Sequence, residues 1–255
     1  MENIYLNCNS NFVTIDLTGG FKSGLLLYLI AKDISDKNID TVIVPCVTRR
    51  INTVKETEYE RPDSTIIVSK VIDYVKNKFP SVKFYNSIVA NVDFWWYTNS
   101  YNKDRNIYNV TEKSLLNTCF NFANKPSFFE ELNPNERVKL KDGIPKIINY
   151  NAYVSIRNVE TPEYLKYTRK HYNKAVEKSI PNGKMFEFYN GEALSILPFY
   201  NISKIELVKI AKDLNILTDL ESITYTCEQS TIDITSPCGE CFNCIELDKA
   251  KVSEF

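Results

Sequence analysis

Histidine is almost missing from this chain: His171 is the only one in 255 residues. It sits among Lys and Tyr on a predicted helix, a setting for a surface side chain rather than a catalytic imidazole. Glycine is sparse too, with seven in all, so a place where several gather stands out. Neither sign of charge is in surplus. A formal net charge of −1 supplies no overall basic field to draw in nucleic acid and leaves room only for a local basic patch. Direct nucleic-acid binding is therefore not expected. No apolar run reaches the ~18 residues of a membrane span. The start, MENIYLNCNSNF, lacks the basic-then-apolar pattern of a signal peptide. The expectation is a cytoplasmic protein with no membrane partner. In that reducing compartment its seven cysteines read as metal ligands, catalytic groups or buried thiols before they read as disulfides.

What is present is an ordinary globular composition, 44% hydrophobic and 25% charged, on a chain long enough to bury a sizeable core. Residues 11–17, NFVTIDL, are rich in β-branched side chains and precede a glycine turn, which predicts a buried strand. Ser23 to Asp33 predicts a helix, 41–48 a second strand, 63–78 a second helix and 82–89 a third strand. This alternation predicts an α/β fold with a doubly wound parallel sheet. Pro45 falls inside the second strand, where it marks a strand end or an edge. From about 91 to 160 the pattern is irregular. This stretch holds Trp95, Trp96 and Tyr97, read as core or interface residues, and a short predicted helix at 111–118. A longer helix is predicted at 162–179. Ser203 to Leu214 predicts a helix opened by a capping box, with Ser203 as N-cap and Glu206 three residues on. The division expected is a nucleotide-binding α/β domain over 1–220, with its irregular insert, and a metal-binding tail over 221–255.

Three of the seven glycines lie in Thr18-Gly19-Gly20-Phe21-Lys22-Ser23-Gly24, between the first strand and the first helix. Glycines let a backbone turn tightly and bring its N–H groups to an anion. The helix that follows offers unpaired N–H groups and the positive end of its dipole. Phosphate is a common occupant of such a place. Thr18 and Ser23 add hydroxyls and Lys22 a charge. The stretch is neither a Walker A loop nor a dinucleotide fingerprint. A strand-to-helix turn that binds nothing has equal claim on the local residues alone.

Near the end stand Cys227, Cys238, Cys241 and Cys244, the last three separated by two residues each, with Gly239 in the first gap. Four thiolates complete a tetrahedral zinc shell with no open position, so the Zn2+ expected here is structural. An iron–sulfur cluster or plain reduced thiols are the alternatives. Cys8, Cys46 and Cys119 have no partner at ligand spacing and read as buried apolar thiols.

The Gly-Gly turn flanked by hydroxyls, LPFYNISKIELVKIAKDLNI at 197–216, TYTCEQ at 224–229 and the terminal cysteine motif together resemble the 7-cyano-7-deazaguanine synthase family. These are queuosine-pathway enzymes of the PP-loop (adenine nucleotide α-hydrolase-like) superfamily. The layout is closest to divergent, phage-encoded members, and the resemblance covers residues 11–33 and 197–248. It implies a ligase that uses ATP and Mg2+ to turn 7-carboxy-7-deazaguanine and ammonia into the nitrile, releasing AMP. It further implies pyrophosphate held by Thr18, Gly19, Gly20, Phe21 and Ser23. Thr48 and Arg49 would lie at the ligand crevice beyond the second strand, and a homodimer is the family's common state. Where the family has an acid, this chain has Lys22. Lys22 and Ser23 are therefore the candidate catalytic pair, and a catalytically degenerate nucleotide binder or another PP-loop adenylating enzyme, such as a tRNA-thiolation ATPase, stays open.

Overall fold

The computed structural model describes residues 4–10, 12–51, 63–93, 140–141, 144–145, 150–153, 155, 176–188, 193–227 and 237–253. Trp95 to Tyr97, the helix expected at 111–118, Cys119 and His171 lie outside them.

Strand β1 (Phe12–Leu17) is buried at all six positions. It pairs in parallel with β2 (Val42–Ile51) on one side and with β7 (Tyr150–Tyr153) on the other. Burial on both faces is what an interior parallel strand needs, and it explains why FVTIDL is nearly continuous in apolar and small side chains. The full sheet runs β3 (Lys83–Phe84), β2, β1, β7, β10 (Ala193–Leu197), β9 (Gly183–Phe188), β8 (Val176–Ile180), and β4 (Ile88–Asp93) also pairs with β2. A small separate hairpin joins β5 (Leu140–Lys141) to β6 (Ile144–Pro145). The parallel strands carry the α/β character, and the order turns back at β1, with β2 on one side and β7 on the other.

Helix α1 (Phe21–Lys37) starts two residues earlier and ends four later than predicted. Leu25, Leu26, Leu27, Ile30 and Ala31 are all fully buried. A helix apolar on this many sides must be covered on most of them. It packs on β1, on α2 (Ser64–Lys78), on α3 (Lys204–Asp213) and on α4 (Leu217–Ile223). Asp63 caps α2 by accepting the Thr65 N–H at 2.9 Å. The capping box of α3 is present: Glu206 N–H donates to Ser203 Oγ at 3.2 Å, and Ser203 N–H donates to Glu206 Oε2 at 2.7 Å. Helix α5 (Phe242–Val252) packs on α3. The helices described make one mutually packed group; a second helical layer, as a doubly wound sheet requires, is not among the described residues. None of these helices is long and apolar enough to cross a membrane.

Two expectations need correction. The helix predicted at 162–179 is strand from Val176 onward: β8 and β9 form an antiparallel hairpin about Pro181-Asn182, with Asn182 at φ 52°. The P-N-G turn signal outweighs the helical periodicity there. The parallel sheet therefore acquires an antiparallel edge, since β9 also runs against β10. The third strand predicted at 82–89 is two strands. β3 pairs with Val42 and Ile43, and β4 pairs with Cys46 to Ile51. Pro45 falls between those two pairings, at a gap along that edge of β2, so its missing N–H interrupts neither ladder.

Candidate phosphate loop and cysteine centre

The glycine turn stands at the carboxyl end of β1, beside the point where the strand order reverses. That is where ligands bind in open α/β sheets. Gly19 has φ 80°, a conformation that L side chains rarely adopt, and a Cβ there would meet Ile67 Cγ2 of α2 at 3.0 Å. Both facts require glycine at 19. Gly20 is the N-cap of α1 and supplies no side-chain cap. The hydroxyls on either side meet: Thr18 Oγ1 lies 3.2 Å from Ser23 Oγ, and Ser23 Oγ donates to Gly20 O at 3.0 Å. Gly20 N–H points to Thr18 Oγ1 at 3.4 Å. Ser23 and Phe21 are buried, Lys22 is half-buried, and Thr18 is exposed. Thr18, Gly19, Gly20, Phe21, Lys22 and Ser23 are thus brought into one turn. Thr48 and Arg49 lie on β2 opposite Ala90 and Asn91 of β4, inside the strand rather than at its end, because β2 continues to Ile51.

The four cysteines come together. The Sγ atoms of Cys227, Cys238, Cys241 and Cys244 all lie within 4.8 Å of one another and could hold a metal ion. Cys227, Cys241 and Cys244 are buried. The local chain explains the convergence. Gly239, at φ 72°, folds the Cys238–Cys241 turn back on itself. Cys238 Sγ then receives the N–H groups of Glu240 at 3.4 Å and Cys241 at 3.2 Å, and Cys227 Sγ receives that of Cys238 at 3.4 Å. Amide donors aimed at sulfur suit thiolates, whose charge they stabilise. Cys241 is the N-cap of α5 and Cys244 lies in its first turn, so the helix dipole favours negative sulfur as well. Burial, followed by the contact with Cys241, pushes the Cys244 thiol up; an arriving metal ion has to displace that proton.

The two features adjoin. Tyr225 N–H donates to Gly19 O at 2.8 Å. Phe21 N–H donates to Thr226 Oγ1 at 3.1 Å, across 205 positions of sequence. Cys227, the first cysteine of the cluster, is the next residue. Ile67 and Tyr225 pack directly with Cys227, Cys241 and Cys244. Lys204, which is 2% exposed, has its Nζ 5.9 Å from the centre of the Phe21 ring and 3.9 Å from Glu246 Oε2 of α5. A cavity of about 420 Å3 opens beside the cluster, bordered by Lys70, Glu221, Tyr225, Thr226, Asp248 and Lys251 among others. The sequence reading missed Lys204. Its signal, a lysine at the first position of an otherwise well-patterned helix, is what a surface residue also gives.

Cys8 and Cys46 are not placed at this centre. Both are buried. Cys8 Sγ lies 3.8 Å from Tyr153 Oη, and burial with the nearby Asp33 charge pushes its thiol up to about 12.

Fold and site define an α/β protein with a mainly parallel sheet and a C-terminal cysteine group able to hold a metal. No family model matches the chain, and no curated protein matches it. Among solved structures it is similar to the U34-tRNA thiolase NcsA from Methanococcus maripaludis with its [4Fe-4S] cluster. That similarity has 11% identity over 98% of this chain and 67% of the other, at a TM-score of 0.43. A likeness this slight carries no residue and no activity across.

Proposed function

We propose that the protein is an ATP-using, AMP-forming enzyme in which the Gly19–Ser23 turn holds the pyrophosphate and the four cysteines hold one structural zinc ion. The observation that carries this reading is the N-terminus of α1 at the carboxyl end of the central strand, where Gly20 supplies no side-chain cap and the Phe21 N–H is met by the Thr226 hydroxyl. A helix N-terminus in this position, with the helix dipole behind it, suits a polyphosphate. Thr18 and Ser23 add hydroxyls. Lys22 adds a positive charge of its own and no ligand for Mg2+, since residues 18–23 contain no carboxylate. The work of these groups is to hold the α-phosphate in line with an attacking carboxylate and to stabilise charge as pyrophosphate leaves.

For the second site, four thiolates fit zinc better than a cluster. A single tetrahedral ion with Zn–S of about 2.3 Å holds its sulfurs roughly 3.8 Å apart, and the four Sγ atoms lie within 4.8 Å of one another. A four-iron cluster spreads its thiolates more widely. A closed four-sulfur shell leaves no position for substrate, so the metal's contribution is folding energy.

The sequence resemblance supplies the finer reading. The carboxylate of 7-carboxy-7-deazaguanine attacks the α-phosphate, pyrophosphate departs, ammonia displaces AMP to give the amide, and a second activation removes the amide oxygen to give the nitrile. On this reading residues 1–220 are the nucleotide domain, 221–255 the zinc tail, the protein is cytoplasmic, and a homodimer is its assembly. A thiolating relative would need a reactive cysteine outside the zinc shell, for which Cys8, Cys46 and Cys119 are available; Cys8 and Cys46 are buried. Lys22 favours one rival, a nucleotide binder without turnover. The test is purified zinc-loaded protein with ATP, Mg2+, ammonium and 7-carboxy-7-deazaguanine, followed by mass spectrometry. AMP with the nitrile is the expected outcome. ATP binding without AMP would give the case to the non-catalytic binder, and AMP with a different acceptor to another adenylating enzyme.

A further inference from the structure

The contacts between the glycine turn and the cysteine centre have a use that neither site has alone. The segment Tyr225-Thr226-Cys227 touches both. Its backbone N–H at Tyr225 holds the Gly19 carbonyl, the Thr226 hydroxyl takes the first N–H of α1 at Phe21, and the Cys227 thiol enters the four-sulfur group. Gly19 is also the residue with the least ordinary backbone in the turn, at φ 80°. A second bridge runs through Lys204, between the Phe21 ring and Glu246, two residues after Cys244. A metal held by the four sulfurs would fix Cys227 and, through its two preceding residues, the contacts on Gly19 and Phe21.

We propose that Thr226 is a positioning residue for the phosphate turn, and that through it and Tyr225 the metal at the cysteine centre and an anion on the turn each strengthen the other's binding. The anion half rests on the function proposed above; the positioning half does not. The physical basis is preorganisation: the metal fixes the segment, the segment fixes the turn, and a turn already fixed loses less freedom when phosphate binds. Linkage makes the effect reciprocal, so whatever factor the metal gives to nucleotide affinity, the nucleotide returns to metal affinity. Thr226 suits the role because its hydroxyl, held on a branched side chain with few rotamers, accepts the Phe21 N–H while its backbone continues directly into a ligand.

The test uses the full chain in its metal-loaded form and in three versions: unchanged, Thr226→Val and Thr226→Ser. A non-hydrolysable ATP analogue is titrated by calorimetry, and zinc release to a chromophoric chelator is followed with and without the analogue. In the unchanged protein the analogue is expected to slow zinc release, and Thr226→Val to weaken analogue binding by about tenfold, within the usual range of couplings. Thr226→Ser, which keeps the hydroxyl, is expected to restore both. Equal binding and equal release in all three proteins would overturn the proposal. Hydrogen exchange at Gly19 to Gly24 separates this failure from failure of the nucleotide reading. If no analogue binds to any version, the nucleotide reading falls. Faster turn exchange in Thr226→Val alone would still support the positioning role, and unchanged exchange would end it.

Discussion

At Cys8 three polar groups meet inside the protein: the thiol, the Tyr153 hydroxyl 3.8 Å away, and the Asp33 carboxylate, which the Lys37 ammonium holds at 2.6 Å. Tyr153 also accepts the Asn7 N–H at 2.7 Å, so the segment before β1 is pinned to the end of β7. Burial raises Cys8 from its ordinary value of 9.0 to about 12 and carries Tyr153 in the same direction. The consequence for stability has a definite sign. Below pH 9 the thiol is protonated folded and unfolded, and stability is unaffected. From pH 9 towards 12 only the unfolded chain loses the proton, so stability falls, by up to ~1.4 kcal/mol per pH unit from this group. Denaturant unfolding at pH 8 and pH 10.5 should show the decline, and Cys8→Ala should make it shallower, the part due to Tyr153 remaining. The same burial predicts that at pH 8 a thiol reagent leaves Cys8 unmodified in native protein and labels it after unfolding, as peptide mapping would reveal.

Elements differ in how plainly the sequence announces them. The capping box of α3 is written in Ser203 and Glu206 and forms as expected. Ser203→Ala should lower stability by about 1 kcal/mol, measured by urea unfolding, with little change in the m-value. Strand β1 was legible because FVTIDL is apolar enough for both faces, and the four cysteines because two-residue spacers leave thiols few other uses. The hairpin β8–β9 was not, because lysines and tyrosines at helical spacing before it mask the turn at Pro181-Asn182. The split of β3 from β4 was hidden for another reason: strand partners are chosen across the sheet, and nothing local says that β2 exchanges one neighbour for another at Pro45. The clamp at Tyr225 and Thr226 was half legible. TYTCEQ stood out beside the first cysteine, yet no local pattern says that a threonine hydroxyl will cap a helix 205 positions away.

Over the whole molecule, the tail is more than an appendage, since α5 packs on α3 and the cysteine group borders the turn. Metal removal by a strong chelator should therefore lower the melting temperature, on the order of 10 °C, with loss of helical signal from α5 while the α1–β2 core persists. Calorimetry and far-ultraviolet circular dichroism would register both, and unchanged melting would show that the thiols need no metal. The clamp's long reach in sequence also sets a timetable for synthesis. β1, α1 and β2 are synthesised before their other partners and can pair at once, yet β1 waits for Tyr150–Tyr153 to cover its other edge. The turn at Gly19 waits longer still, for Tyr225 and Thr226, and Cys227 waits for Cys244. A nascent chain stalled between β2 and those residues would carry the complete glycine turn and a bound partner strand, and would still lack the clasp that gives the turn its shape.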